Sequence, residues 1–134
     1  MGYKEKRDDF MYTHDYEIIS YQVDFEKGTF IFNIKGEQGQ KKQIIFKEVL
    51  SYQFKHEMPY SIILDLKELP LAYFFSQNKK VLEDKERWSI RYKSPLELKT
   101  KIESMGLKYY NLYASYGMNG WILAESCELR VIED

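Results

Sequence analysis

Apolar and polar residues alternate along most of this chain, and that period of two is the strongest constraint on its fold. Successive side chains of a strand point to opposite faces, so alternation specifies a sheet with one buried face. From Glu17 onward, Ile19, Tyr21, Val23 and Phe25 alternate with Ser20, Gln22 and Asp24. This predicts a half-buried strand. Glu26-Lys27-Gly28 is a turn, with Gly28 supplying positive φ, and Phe30, Phe32 and Ile34 follow as an antiparallel partner. The glycine-containing stretch 36–40 turns the chain again. The run 43–55 carries Ile44, Phe46, Leu50, Tyr52 and Phe54 at even positions, interrupted by Glu48. A carboxylate facing a core is costly, so a bulge or bend is expected near Lys47–Glu48. Further on, Trp88, Ile90 and Tyr92 alternate with Arg87, Ser89 and Arg91, the cleanest strand pattern in the chain. Lys108 to Tyr116, Trp121 to Ser126 and Cys127 to Val131 complete the set. Asn119-Gly120, between Met118 and Trp121, predicts a type I′ hairpin, which needs positive φ at both central residues.

Helical signals are fewer. Ser94-Pro95-Leu96-Glu97 reads as a helix start, with Ser94 as cap, Pro95 in the first position and Glu97 closing a capping box. Leu98, Ile102 and Met105 form one apolar stripe, and Gly106 suits a left-handed stop. Leu71, Phe74, Phe75, Asn78 and Leu82 also fall at helical spacings behind Pro70, although Tyr73-Phe74-Phe75 is poor helix material. A charged loop should follow. Ser61 to Leu66 fits strand and helix equally.

The fold class that follows is β-rich α+β. It is an antiparallel sheet or sandwich of about seven to nine short strands, with one helix at about 94–106 and a second candidate at about 70–83. Residues 1–12 mix charges and aromatics without a period and are expected to form a poorly ordered arm, leaving 13–134 as a single domain. A chain of 134 residues can bury about two-thirds of its surface without staples. Lysine plus arginine number 20 against 21 acids, a net charge of −1, which argues against general nucleic-acid binding. No apolar run is long enough to span a membrane, and the start lacks the apolar stretch of a signal peptide. The single cysteine, Cys127, excludes an internal disulfide framework and fits a reducing cytoplasm.

Candidate chemistry is sparse. His14-Asp15 and His56-Glu57 pair an imidazole with a carboxylate, and these are the chain's two histidines. Neighbours on a strand point to opposite faces, so neither pair alone presents two ligands to one metal. No metal and no cofactor is expected. Cys127 shares the parity of Leu129 and Val131 and reads as a small buried hydrophobe. Asp65 lies in the apolar run 62–66 and would need a second acid nearby to do catalysis. The glycines of 36–39 and 117–120 lack the lysine and following helix of a phosphate loop. No catalytic residue is assigned, and the chain is read as a non-enzyme.

Twelve tyrosines and two tryptophans leave binding as the better reading. The segment 109–121 carries Tyr109, Tyr110, Tyr113, Tyr116, Met118 and Trp121, residue types enriched at protein contacts. If Tyr110, Leu112 and Ala114 face the core, Tyr109 and Tyr113 share the other face. Trp121 would extend them across the hairpin. Tyr109, Tyr113 and Trp121 are therefore the predicted partner-binding patch, for a protein partner or for self-association. The alternatives are a small-ligand or sugar binder using sheet tyrosines, and an enzyme whose site is assembled only in the fold.

Three stretches carry a resemblance. His14-Asp15-x-x-Ile18 before an alternating strand, the Ile45-Phe46-x-x-Val49 step, and Ala114-Ser115-Tyr116-Gly117-x-x-Gly120-Trp121-Ile122 resemble small uncharacterised proteins of low-GC Gram-positive bacteria. Some of these are encoded beside polymorphic contact-dependent toxins and are read as immunity proteins. The likeness spans roughly residues 14 to 130 and offers no shared catalytic residue. It implies a cytoplasmic binder that blocks a toxin domain.

Overall fold

The computed structural model describes residues 13–132, so the expected N-terminal arm, 1–12, lies outside the described residues. Six strands form a closed antiparallel barrel: β1 (Glu17–Asp24), β2 (Thr29–Lys35), β3 (Lys41–Lys55), β4 (Ser61–Leu69), β5 (Lys108–Tyr116) and β6 (Asn119–Ile132). The order around the barrel is β1-β2-β3-β6-β5-β4, and β1 meets β4 to close it. Three helices lie between β4 and β5: α1 (Leu71–Gln77), α2 (Lys79–Glu83) and α3 (Pro95–Ser104).

The alternation of β2 places Phe30, Phe32 and Ile34 inside the barrel, essentially without exposure. They meet Ile44 and Phe46 from β3, Tyr110 and Leu112 from β5, and Ile122 from β6. Rings fill this interior, with Phe30 and Phe32 centred 4.8 Å apart and Phe46 edge-on to Tyr110 at 5.4 Å. Glu48 adopts φ 52°, and the register to β6 shifts between Val49 and Ser51. The inward parity therefore passes from Phe46 to Val49 and back to Tyr52 and Phe54. Glu48 stays in water, as the sequence required, and a bent strand of 15 residues remains continuous.

A second core lies outside the barrel. Leu98 and Ile102 of α3 and Phe74 and Phe75 of α1 pack with Trp88 and Leu107 over Tyr109, Trp121 and Leu123. The aromatic run that disfavours helix is thus helical because two of its rings, Phe74 and Phe75, are buried, while Tyr73 stays exposed. Tertiary packing outweighs propensity here. The 70–83 helix is two short ones, broken at Asn78, whose side chain donates to the Phe74 carbonyl at 3.1 Å. α3 starts as predicted: Ser94 Oγ accepts from the Glu97 N–H at 3.1 Å and Pro95 opens the helix. The expected capping box does not close: the Glu97 carboxylate pairs forward with Lys101 at 3.4 Å instead of turning back to Ser94. Met105 is exposed, and Leu107 takes the buried place beyond Gly106.

Three expectations need correction. Trp88 to Tyr92 form no strand; the segment is irregular, and its apolar side chains are drawn onto the helical layer. The segments 121–126 and 127–131 are one strand, β6, so six strands stand where more were expected. Asn119-Gly120 is not a turn. Both residues belong to β6, opposite Lys55 and Phe54, and the positive φ falls on Gly117 at 91°. Asn119 acts through its side chain instead. Its Oδ1 accepts from the Ala114 N–H at 2.8 Å and its Nδ2 donates to the Gly117 carbonyl at 3.0 Å. Gly120 is needed for proximity, since a Cβ there would collide with the Gln53 carbonyl and the Phe54 ring. Among the described residues, no helix is long and apolar enough to cross a membrane.

Candidate interaction surface

The predicted aromatic patch does not form. Tyr109 is 2% and Trp121 7% exposed, both covered by the helical layer. Phe74 stands edge-on to them at 5.3 and 4.9 Å. The Tyr109 hydroxyl donates to Gln77 Oε1 at 3.2 Å and accepts from Asn78 Nδ2 at 3.3 Å. Strand β5 is buried on both faces over this stretch because the barrel takes Tyr110 and the helices take Tyr109. Tyr113 alone stays open, at 38%. It sits opposite Asp65 of β4, in a groove shared with His14, Leu64 and Lys67.

This groove gathers several of the sequence candidates. His14 Nδ1 lies 2.7 Å from the Leu64 carbonyl oxygen, and its Nε2 is 3.4 Å from Asp15 Oδ1. Asp65 pairs with Lys67 at 3.6 Å. His56 and Glu57 lie in the loop that joins β3 to β4, outside this groove. Among the described residues, no group of three His, Cys, Asp or Glu side chains is placed to hold a metal ion. Cys127 is packed against the barrel core opposite Phe46, and burial raises its thiol pKa well above the ordinary value.

A different surface emerges where the barrel closes. β1 pairs with β2 along its length but with β4 only at Glu17–Ile62 and Ile18–Ser61. The register shifts between Ile18 and Ser20. Pairing with β4 ends at Ile18 because Ser61 is the first residue of β4. From Ser20 to Asp24 the outer edge of β1 has no strand beside it among the described residues. The loop 56–60 faces this edge, and the two line a groove with Met118. The Tyr21 hydroxyl donates to the Glu57 carboxylate, and this bond, with some burial, raises the phenol pKa above its ordinary value. Tyr21 also stacks on Phe30, with centroids 5.3 Å apart.

The loop itself is held in an unusual shape. His56 has φ 62° and Tyr60 φ 66°, conformations that cost a non-glycine residue about 1 kcal/mol or more. A buried serine anchors it. Ser61 Oγ donates to the Met58 carbonyl at 2.7 Å and accepts from the Met118 N–H at 3.1 Å. Gly117 permits this approach, since a Cβ there would collide with Ser61. The result is a fixed loop that holds Met58 and Tyr60 in water, beside exposed Ile19 and Tyr21; Tyr60 is 72% exposed. The alternation of β1 places Ile19, Tyr21, Val23 and Phe25 on a buried face. Val23 does pack against the core, but Ile19 at the bulge, Tyr21, and Phe25 in the turn beyond β1 are open. No local signal in the sequence marks where a strand loses its neighbour. Chemically, the groove offers a strand edge with no paired strand among the described residues, apolar and aromatic side chains, and the carboxylates of Glu17 and Glu57.

No protein-family model matches the chain, and no curated protein matches it in sequence.

Proposed function

We propose that this chain is a non-catalytic domain that binds another protein, and that the groove between β1 and the loop 56–60 is its contact surface. The supporting observation is the unpaired edge of β1 beside four exposed large side chains, Ile19, Tyr21, Met58 and Tyr60, on a scaffold fixed by Ser61. Such residue types in one place are enriched at protein contacts. The barrel interior is filled by rings, which favours an outer contact over a small ligand held inside. The resemblance supplies the first partner to test, a toxin domain. Tyr113, in its own groove, is proposed as a further contact.

The test uses a toxin domain encoded beside this gene, titrated calorimetrically with the full chain. Tyr60→Gly should weaken binding by about tenfold or more, because it removes an exposed aromatic anchor. The same change relieves the positive φ, so the unfolding midpoint should hold or rise. Tyr113→Ala is measured alongside. Absence of a complex, or full-strength binding by Tyr60→Gly, refutes the assignment.

A further inference from the structure

Resting on that reading, we infer that the segment received by this groove is an extended, cationic stretch of the partner that adds to β1 as a further strand. From Ser20 to Asp24 one side of the strand has no paired strand among the described residues, and the loop stands beside only its first part, at Ser20 and Tyr21. Its sequence between the bulge and Asp24 is Ser-Tyr-Gln-Val, free of the lysine or proline that commonly blocks an open edge. About five residues extend roughly 17 Å, enough to dock a short strand through main-chain hydrogen bonds. Ile19 and Tyr21 then flank the added strand with apolar contacts.

The sign of the partner follows from the lining. Glu17 and Glu57 border the groove, and no lysine, arginine or histidine lines it. Neither carboxylate forms an ion pair among the described residues, although Glu57 accepts from Tyr21. Asp24, at the far end of the edge, has no ion pair there either; it accepts the Lys27 N–H at 2.9 Å. A second copy of this chain is a poor occupant. Pairing two β1 edges would bring two sets of these acids together, which like charge opposes. A partner strand bearing lysine or arginine between apolar residues satisfies both edge and charge.

The experiment selects displayed random ten-residue peptides on the full chain and maps the winners by amide hydrogen exchange. The expected winners alternate Lys or Arg with apolar residues and protect amides within 20–24. Their affinity should fall about tenfold in the Glu17→Gln/Glu57→Gln variant. It should also fall with added salt on the unmodified chain, which tests the charge without any mutation. Winners that protect 20–24 but carry no cationic bias overturn this inference and leave the protein-binding reading standing. Winners that protect another surface, or no winners at all, overturn both. Self-association of the unmodified chain that protects 20–24 replaces the cationic segment with a second copy.

Discussion

Asn119→Gly separates the structure from the turn motif that the sequence suggests. In a type I′ turn, glycine takes the first central position as readily as asparagine, so the change would be neutral or mildly stabilising. In the barrel, Asn119 lies in β6 and its carboxamide bridges β5 and the loop. The substitution removes bonds of 2.8 and 3.0 Å, to the Ala114 N–H and the Gly117 carbonyl. Each is worth about 1 kcal/mol net. Glycine in a strand adds about 0.5–1 kcal/mol of backbone entropy. The expected loss is therefore about 2–3 kcal/mol, read from the urea midpoint at constant slope. Asn119→Asp keeps an acceptor for Ala114 and loses the donor to Gly117, so its loss should be smaller. Hydrogen exchange at the Ala114 amide should quicken in Asn119→Gly and much less in Asn119→Asp. A loss below about 0.5 kcal/mol for Asn119→Gly would refute the bridging role.

Three other outcomes are expected. Ser94→Ala should cost about 1 kcal/mol in denaturant unfolding, since it strips the acceptor from the Glu97 N–H. Phe74→Ala should cost about 3–5 kcal/mol, because its fully buried ring joins α1 to Tyr109 and Trp121; a near-native midpoint would mean that α1 is not docked there. Tyr21 should titrate above its ordinary value of 10.0 by ultraviolet absorbance, and Glu57→Gln should lower it. A raised native pKa means that the stability from this contact is full below pH 10.0 and is lost as pH rises through the native value. Unchanged titration in Glu57→Gln would deny the hydrogen bond its effect.

Period-two patterning and cap chemistry are local properties, and where local properties decide structure this sequence is legible. Phe30, Phe32 and Ile34 face the interior, Glu48 forces irregularity in β3, and Ser94-Pro95 opens α3. Alternation divides a strand's side chains into two faces without saying what covers either. The pattern alone leaves Tyr109 and Trp121 in water, yet the helices inserted between β4 and β5 bury them. Trp88, Ile90 and Tyr92 have a strand's pattern, yet they pack irregularly onto the helical layer instead of joining the barrel. Asn119-Gly120 has a turn's composition, yet it is drawn into β6 by its pairing with Lys55 and Phe54. The groove at β1 was the least legible of all, because it arises where two strands part after Ile18 and Ser61. Strands staggered around a closed sheet share only part of their length, so β1 runs on past the start of β4 at Ser61. Sequence thus determined which segments could be strands or helices, and tertiary structure decided which of their faces remained in water.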